Sequence, residues 1–234
     1  MKPFSSVAVL VALYCLTGQP ALAGESEQDG IAVAIVYDTS GSMKDNVPDR
    51  SGHSSPKYVI ANRALVEIVR QISVFTTNSP GGPRKVSAAL FTFRGENPQE
   101  SVKFAPFNPT PFISWARQFA KPNGNTPLGR TLEAAARSVL ASDLTKKHVL
   151  VITDGVNTVG PQPAAVMPNI RHVADEKHAA VSVHFVAFDV DAKEFESVKR
   201  LGATVVGAAD EKQLGTQLDY ILQRKILLEE EEKK

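Results

Sequence analysis

The stretch Ile31-Ala32-Val33-Ala34-Ile35-Val36-Tyr37-Asp38-Thr39-Ser40-Gly41-Ser42-Met43 decides how this chain is read. Its first seven residues carry no charge and no apolar–polar alternation, which predicts a central parallel strand covered on both faces. In open α/β sheets, ligands bind in the crevice beyond the carboxyl ends of the strands, where strand order reverses, and Asp38 falls at such an end. Ser40 and Ser42 follow at every second position, with Gly41 between them expected to allow a turn that a bulkier residue would resist. One acid and two hydroxyls form an oxygen set suited to a hard cation.

Two distant segments supply what such a site lacks. Thr126 in Asn125-Thr126-Pro127-Leu128 is placed to open a helix, and Asp154 ends the apolar run Val149-Leu150-Val151-Ile152-Thr153 just before Gly155. Each part also has an ordinary structural reading. Ser40 and Ser42 suit a turn, Thr126 before Pro127 suits a helix N-cap with proline at the first helical position, and Asp154-Gly155 suits a turn after a strand. Those readings leave unexplained why all five residues fall at the same end of one sheet. Capping and metal ligation are compatible at Thr126.

At these residues the chain resembles the von Willebrand factor A family, whose metal-ion-dependent adhesion site reads Asp-x-Ser-x-Ser, then a distant Thr, then a distant Asp. Asp38, Ser40, Ser42, Thr126 and Asp154 match all five positions, and the resemblance spans residues 30–226. It implies a divalent cation, with magnesium first and manganese or calcium compatible with the same oxygens. It also implies a protein ligand whose Asp or Glu carboxylate fills an open coordination position. The run Ser42-Met43-Lys44-Asp45 further looks like that of integrin β subunits, where acids after the same loop hold a second cation. Here Asn46 stands where a second acid would be needed, so residues 44–56 are expected to form a solvated loop that overhangs the site and shapes partner choice.

Outward from the opening strand, helical and strand patterns alternate. They predict an α/β fold with a doubly wound, mostly parallel, Rossmann-like central sheet and helices on both faces. Tyr58, Ala61, Leu65, Ile68, Ile72 and Phe75 draw one apolar helix face over residues 57–75, and Leu128, Leu132, Ala135 and Val139 another over 127–140. Residues 86–93 and 101–107 flank the turn-rich link 95–99, which predicts a hairpin; the resemblance implies the same antiparallel edge strand. Further strands are expected at 181–188 and 204–206, followed by an amphipathic helix near 211–227. The proline-rich pieces 80–83, 108–111 and 160–168 read as surface loops. No internal repeat and no second domain is apparent.

Residues 1–23 read as a signal peptide: Lys2 is basic, Val7 to Leu16 is an apolar stretch, and Ala21-Leu22-Ala23 is a small-x-small cleavage site. An exported product is expected, periplasmic or secreted, with 24–29 as a short N-terminal segment, 30–226 as the domain and 227–234 as a charged tail. No later segment is a transmembrane candidate. The single cysteine, Cys15, lies in the leader, so the mature domain is expected to rest on its apolar core without a disulfide. A chain of this length can bury about 70% of its unfolded surface. With 26 basic and 25 acidic residues and no basic stripe, nucleic-acid binding has no support.

Other functional classes meet specific obstacles. A serine esterase of the Gly-Asp-Ser kind would use a late Asp-x-x-His pair such as Asp175 and His178, but Tyr37 replaces the needed glycine and Thr39 separates Asp38 from the nearest serine. A phosphatase of the Asp-x-Asp type would need an acid at Ser40. Nucleotide hydrolysis would need a glycine-rich phosphate loop, and none is present. The five histidines show no ligand spacing on a helix face. His184 reads as packed within a strand, and Trp115 with the phenylalanines as core. A binding module leads, therefore, with an assembly or maturation factor of an exported complex as a second use of the same site.

Overall fold

The computed structural model describes residues 28–78 and 84–228. The leader over residues 1–23, the loop 80–83 and the acidic end 229–234 lie outside the described residues. Eight strands and six α-helices follow in chain order: β1 (Gln28–Tyr37), β2 (Asn46–Pro48), β3 (Ser54–Pro56), α1 (Lys57–Asn78), β4 (Val86–Arg94), β5 (Asn97–Pro106), α2 (Pro109–Gln118), α3 (Leu128–Leu140), β6 (Leu144–Thr153), α4 (Pro163–Glu176), β7 (Ser182–Phe188), α5 (Glu196–Arg200), β8 (Thr204–Ala208) and α6 (Glu211–Ile221). A π-helical turn, Leu222–Ile226, continues α6. Six strands form one sheet in the order β5-β4-β1-β6-β7-β8, and every pairing is parallel except that of the edge strand β5 with β4. Strand order reverses at β1, so the carboxyl end of β1 opens into the crevice where such sheets bind ligands.

The side chains of β1 divide between two cores. Ile31, Val33, Ile35 and Tyr37 pack with Ile60, Leu65, Ile68 and Ile72 of α1 and with Leu214, Leu218 and Ile221 of α6. The intervening Ala32, Ala34 and Val36 face Leu132, Ala135 and Val139 of α3 and Met167 and Ile170 of α4. Burial on both faces explains why β1 shows no polar alternation. Its small residues let α3, itself rich in alanine, lie close to the sheet.

Four expectations change. Residues 108–111 begin α2: Asn108 caps it by accepting from the Thr110 backbone N–H at 3.0 Å, and Pro109 occupies the first turn, where a missing N–H costs nothing. Residues 163–168 belong to α4, which carries Pro168 inside it; Val166, Met167, Ile170 and Ala174 are buried, and their packing outweighs the lost hydrogen bond. The 95–99 link narrows to Gly95 and Glu96, because Asn97, Pro98 and Gln99 already pair with β4. Residues 46–56 are a closed hairpin of β2 and β3, with Val47 buried and Asp49 accepting from the Ser51 and His53 backbone N–H groups and the Ser55 hydroxyl. β1 begins at Gln28, and Leu227 is buried in the core.

Candidate metal centre

The site begins where β1 runs out. Asp38 is fully buried, its backbone N–H still paired to the carbonyl of Ile152 at 3.0 Å, so its carboxylate is fixed by the sheet. One oxygen, Oδ1, accepts the backbone N–H of Ser40 at 2.8 Å, and Oδ2 accepts the Thr153 hydroxyl at 2.6 Å. Thr39 pins the turn to β4 by accepting from the Phe93 N–H at 3.1 Å and facing the Phe93 carbonyl at 3.3 Å. The chain then makes one turn of 3-10 helix, Gly41–Lys44, anchored by the buried Met43. That turn brings the Ser40 and Ser42 hydroxyl oxygens within 3.1 Å of each other, and Ser42 donates to Asp154 Oδ1 at 2.9 Å.

The loop before α3 is bound to this turn by backbone. Asn123 N–H donates to the Thr39 carbonyl at 2.8 Å and Gly41 N–H to the Gly124 carbonyl at 3.1 Å. The residue that needs glycine's freedom is Gly124, at φ +85°; Gly41 is outside the positive-φ set. Thr126 is buried, and both its backbone groups pair with Thr158. It is not the N-cap: α3 starts two residues later, and the Asn157 side chain accepts the Gly129 N–H at 3.0 Å. Gly129 allows that contact, since a Cβ there would stand 2.0 Å from the Pro161 carbonyl oxygen. The loop after β6 thus holds the start of α3 and, through Thr158, the loop segment that carries Thr126.

Asp154 stands opposite Asp38 with its side chain wholly buried. Burial raises the Asp38 pKa, the negative charge of Asp154 raises it further, and the hydrogen bonds from Ser40 and Thr153 lower it; the result is about 6, from an ordinary 3.8. Sequence reading missed Lys57, the first residue of α1. Its ammonium is buried and lies 2.8 Å from Asp154 Oδ2, 3.3 Å from Asp189 Oδ2 and 3.8 Å from Asp45 Oδ2. Burial alone would lower the Lys57 pKa, but the hydrogen bond and charge of Asp154, then those of Asp189, carry it upward. A lysine immediately after Pro56, at the positive end of a helix dipole, is the one sequence signal that pointed to it.

The donors suit a hard divalent cation. Among the described residues no group of three or more His, Cys, Asp or Glu side chains could hold a metal. Ligation here would therefore rest on hydroxyls beside carboxylate, the set magnesium and manganese accept. A cation between Asp38 and Asp154 would also relieve the repulsion that raises the Asp38 pKa. Asp45, the acid that follows the metal loop, lies 3.8 Å from the Lys57 ammonium.

The description "von Willebrand factor type A domain" belongs to the family model that matches residues 32–221. The chain belongs to this family. A curated relative, the uncharacterised protein YwmD of Bacillus subtilis (strain 168), is 25% identical over 219 residues, covering 90% of each chain. Among solved structures, the VWA fold here is similar to the PilB minor pilin of Streptococcus sanguinis at a TM-score of 0.63 and 17% identity, over 83% of this chain and 60% of that one. It is similar to the vWF domain of the type V pili tip protein Mfa5 of Porphyromonas gingivalis at 0.61 and 13%, over 83% and 94%. Proximal thread matrix protein 1 of the mussel byssus, solved with a zinc-occupied MIDAS motif, matches at 0.59 and 15%, over 85% and 48%. This VWA domain thus spans less than two thirds of the pilin chain and about half of the byssus chain. Among the described residues no helix is long and apolar enough to cross a membrane.

Proposed function

We propose that this VWA domain is an exported interaction module with a complete metal-ion-dependent adhesion site. Asp38, Ser40, Ser42 and Thr126 hold one divalent cation, magnesium foremost, with Asp154 completing the set. The ion takes its last ligand from an Asp or Glu side chain of a partner protein. The observation that carries the reading is the continuous line of oxygens from Asp38 through the Ser40 and Ser42 hydroxyls, 3.1 Å apart, to Asp154 Oδ1 at 2.9 Å. Hydroxyl ligands are neutral, so the ion keeps positive charge and an incoming carboxylate gains a charge-assisted bond. The rim suits a protein surface: Ser42, Lys44 and Asp45 are exposed, and Val156, two residues beyond Asp154, is 42% exposed. The leader-like residues 1–23 and the pilus and byssus settings of its structural neighbours support export.

Partner capture from native extract tests this reading. Wild-type protein in magnesium should retain a partner that is lost with chelator and lost with Asp38→Ala. Recovery of the same partner under all three conditions would remove metal-bridged recognition.

A further inference from the structure

Lys57 occupies a place that two physical rules argue against. A cation at a helix N-terminus opposes the positive end of the macrodipole, and a lysine that is only 3% exposed as a residue keeps little water at its ammonium. Three carboxylates from three segments compensate: Asp154 after β6, Asp189 after β7, and Asp45 after the metal-loop turn. Asp189 reaches Lys57 from φ +56°, a left-handed conformation uncommon outside glycine. The consequence falls on Asp154, because Ser42 donates to its Oδ1 at 2.9 Å while Lys57 holds its Oδ2 at 2.8 Å. Both oxygens of this carboxylate are engaged by the protein.

We infer that Lys57 is a built-in cation and a positioning residue: it holds Asp154 back from direct ligation, so a divalent ion beside Asp38, Ser40, Ser42 and Thr126 takes one carboxylate from the chain. This deepens the metal-site reading and rests on it. One direct carboxylate leaves a divalent ion with net positive charge, whereas two would cancel it and weaken its pull on a partner's acid. Lys57 also supplies, covalently, the positive charge that a second ion would bring to Asp45 and Asp189. The domain thereby gives up some metal affinity and keeps an ion that attracts anions.

Calorimetric titration of full-length protein with manganese alone tests this through a double-mutant cycle. Asp38→Ala should abolish the single binding event. Asp154→Asn in the wild-type background should weaken it by no more than about 10- to 100-fold, the range of an outer-sphere partner. Lys57→Met should tighten manganese by about tenfold, and Asp154→Asn in that background should then cost at least about tenfold more than it does in wild type, beyond the roughly 100-fold limit of an outer-sphere partner, because the freed carboxylate has become a direct ligand. Additive effects in the cycle, or unchanged or weaker binding by Lys57→Met, would overturn the role of Lys57. If Lys57→Met does not fold, the single variants still decide: equal loss by Asp154→Asn and Asp38→Ala would make Asp154 a direct ligand in the native site and end the inference. An absence of any manganese binding by wild type would remove the metal-site reading and this inference together, an outcome distinct from the others.

Discussion

Two polar pairs are buried in the same sheet, and they solve the problem of burial in opposite ways. At the carboxyl ends of β1 and β6, Asp38 and Asp154 are surrounded by hydroxyls, a backbone N–H and the Lys57 ammonium, and charge is retained. In the middle of β6 and β7, His148 and His184 stack with ring centroids 5.6 Å apart and their Nδ1 and Nε2 atoms at 3.4 Å. Burial lowers the His148 pKa to about 3, helped by His184 and Lys146, and the His184 pKa to about 4, helped by Lys225. Those rings stay neutral. Charge is kept where an outside ligand can complete it, and removed where only the core is available.

Exchanging a charge at the first pair should give the largest effect. Asp38→Asn should bind magnesium at least about 100-fold more weakly by calorimetry. In chelator at pH 8, however, the same variant should withstand at least as much urea as wild type, because it removes a buried charge and keeps the side chain's shape. A large loss of stability there would mean that the two pairs are both structural, and the contrast would fail.

Acid sharpens the contrast next. The histidine pKa values are depressed, so their contribution to stability is full above 6.5 and is lost as pH falls toward 4 and 3. The Asp38 pKa is raised, so its contribution is full below 3.8 and is lost as pH rises through about 6. Between pH 6 and 4 two groups oppose one, each worth about 1.4 kcal/mol per pH unit, so urea midpoints in chelator should report a net loss of about 1.4 kcal/mol per unit. Saturating magnesium should roughly double that slope by denying Asp38 its proton, and His184→Leu should flatten it. A slope indifferent to magnesium would separate Asp38 from the metal.

Direct titration of magnesium at several pH values should give a further, smaller shift. Affinity should fall by up to about tenfold per pH unit below 6, where a proton competes for Asp38. The smallest effect is expected from Asp45→Ala, whose carboxylate is mostly exposed and only 3.8 Å from Lys57. Calcium should still give a single event, with affinity changed by no more than about threefold. A second event in wild type that disappears in Asp45→Ala would show that the metal end holds two ions.

Much of the site was legible because its signals are local. Asp38, Ser40 and Ser42 lie within five residues, and Thr126 and Asp154 each sit beside a recognisable element boundary. The prolines misled at 108–111 and 163–168, since a proline that breaks a helix interior also favours a first turn, and packing of Met167 and Ile170 can override Pro168. Thr126 was expected to cap α3 and does not, because the Gly129 N–H is taken by Asn157, 28 residues away.

By itself the sequence determined the alternation of strands and helices, the central place of β1 and the chemical identity of five oxygen-bearing residues. These follow from periodicity and from side-chain type, which are properties of neighbouring residues along the chain. Only the tertiary structure decided that Lys57 closes on Asp154, that Asp189 and Asp45 share its charge, and that His148 meets His184. Such contacts join residues up to more than 100 positions apart, and charge and burial depend on distance in space, which no local pattern carries.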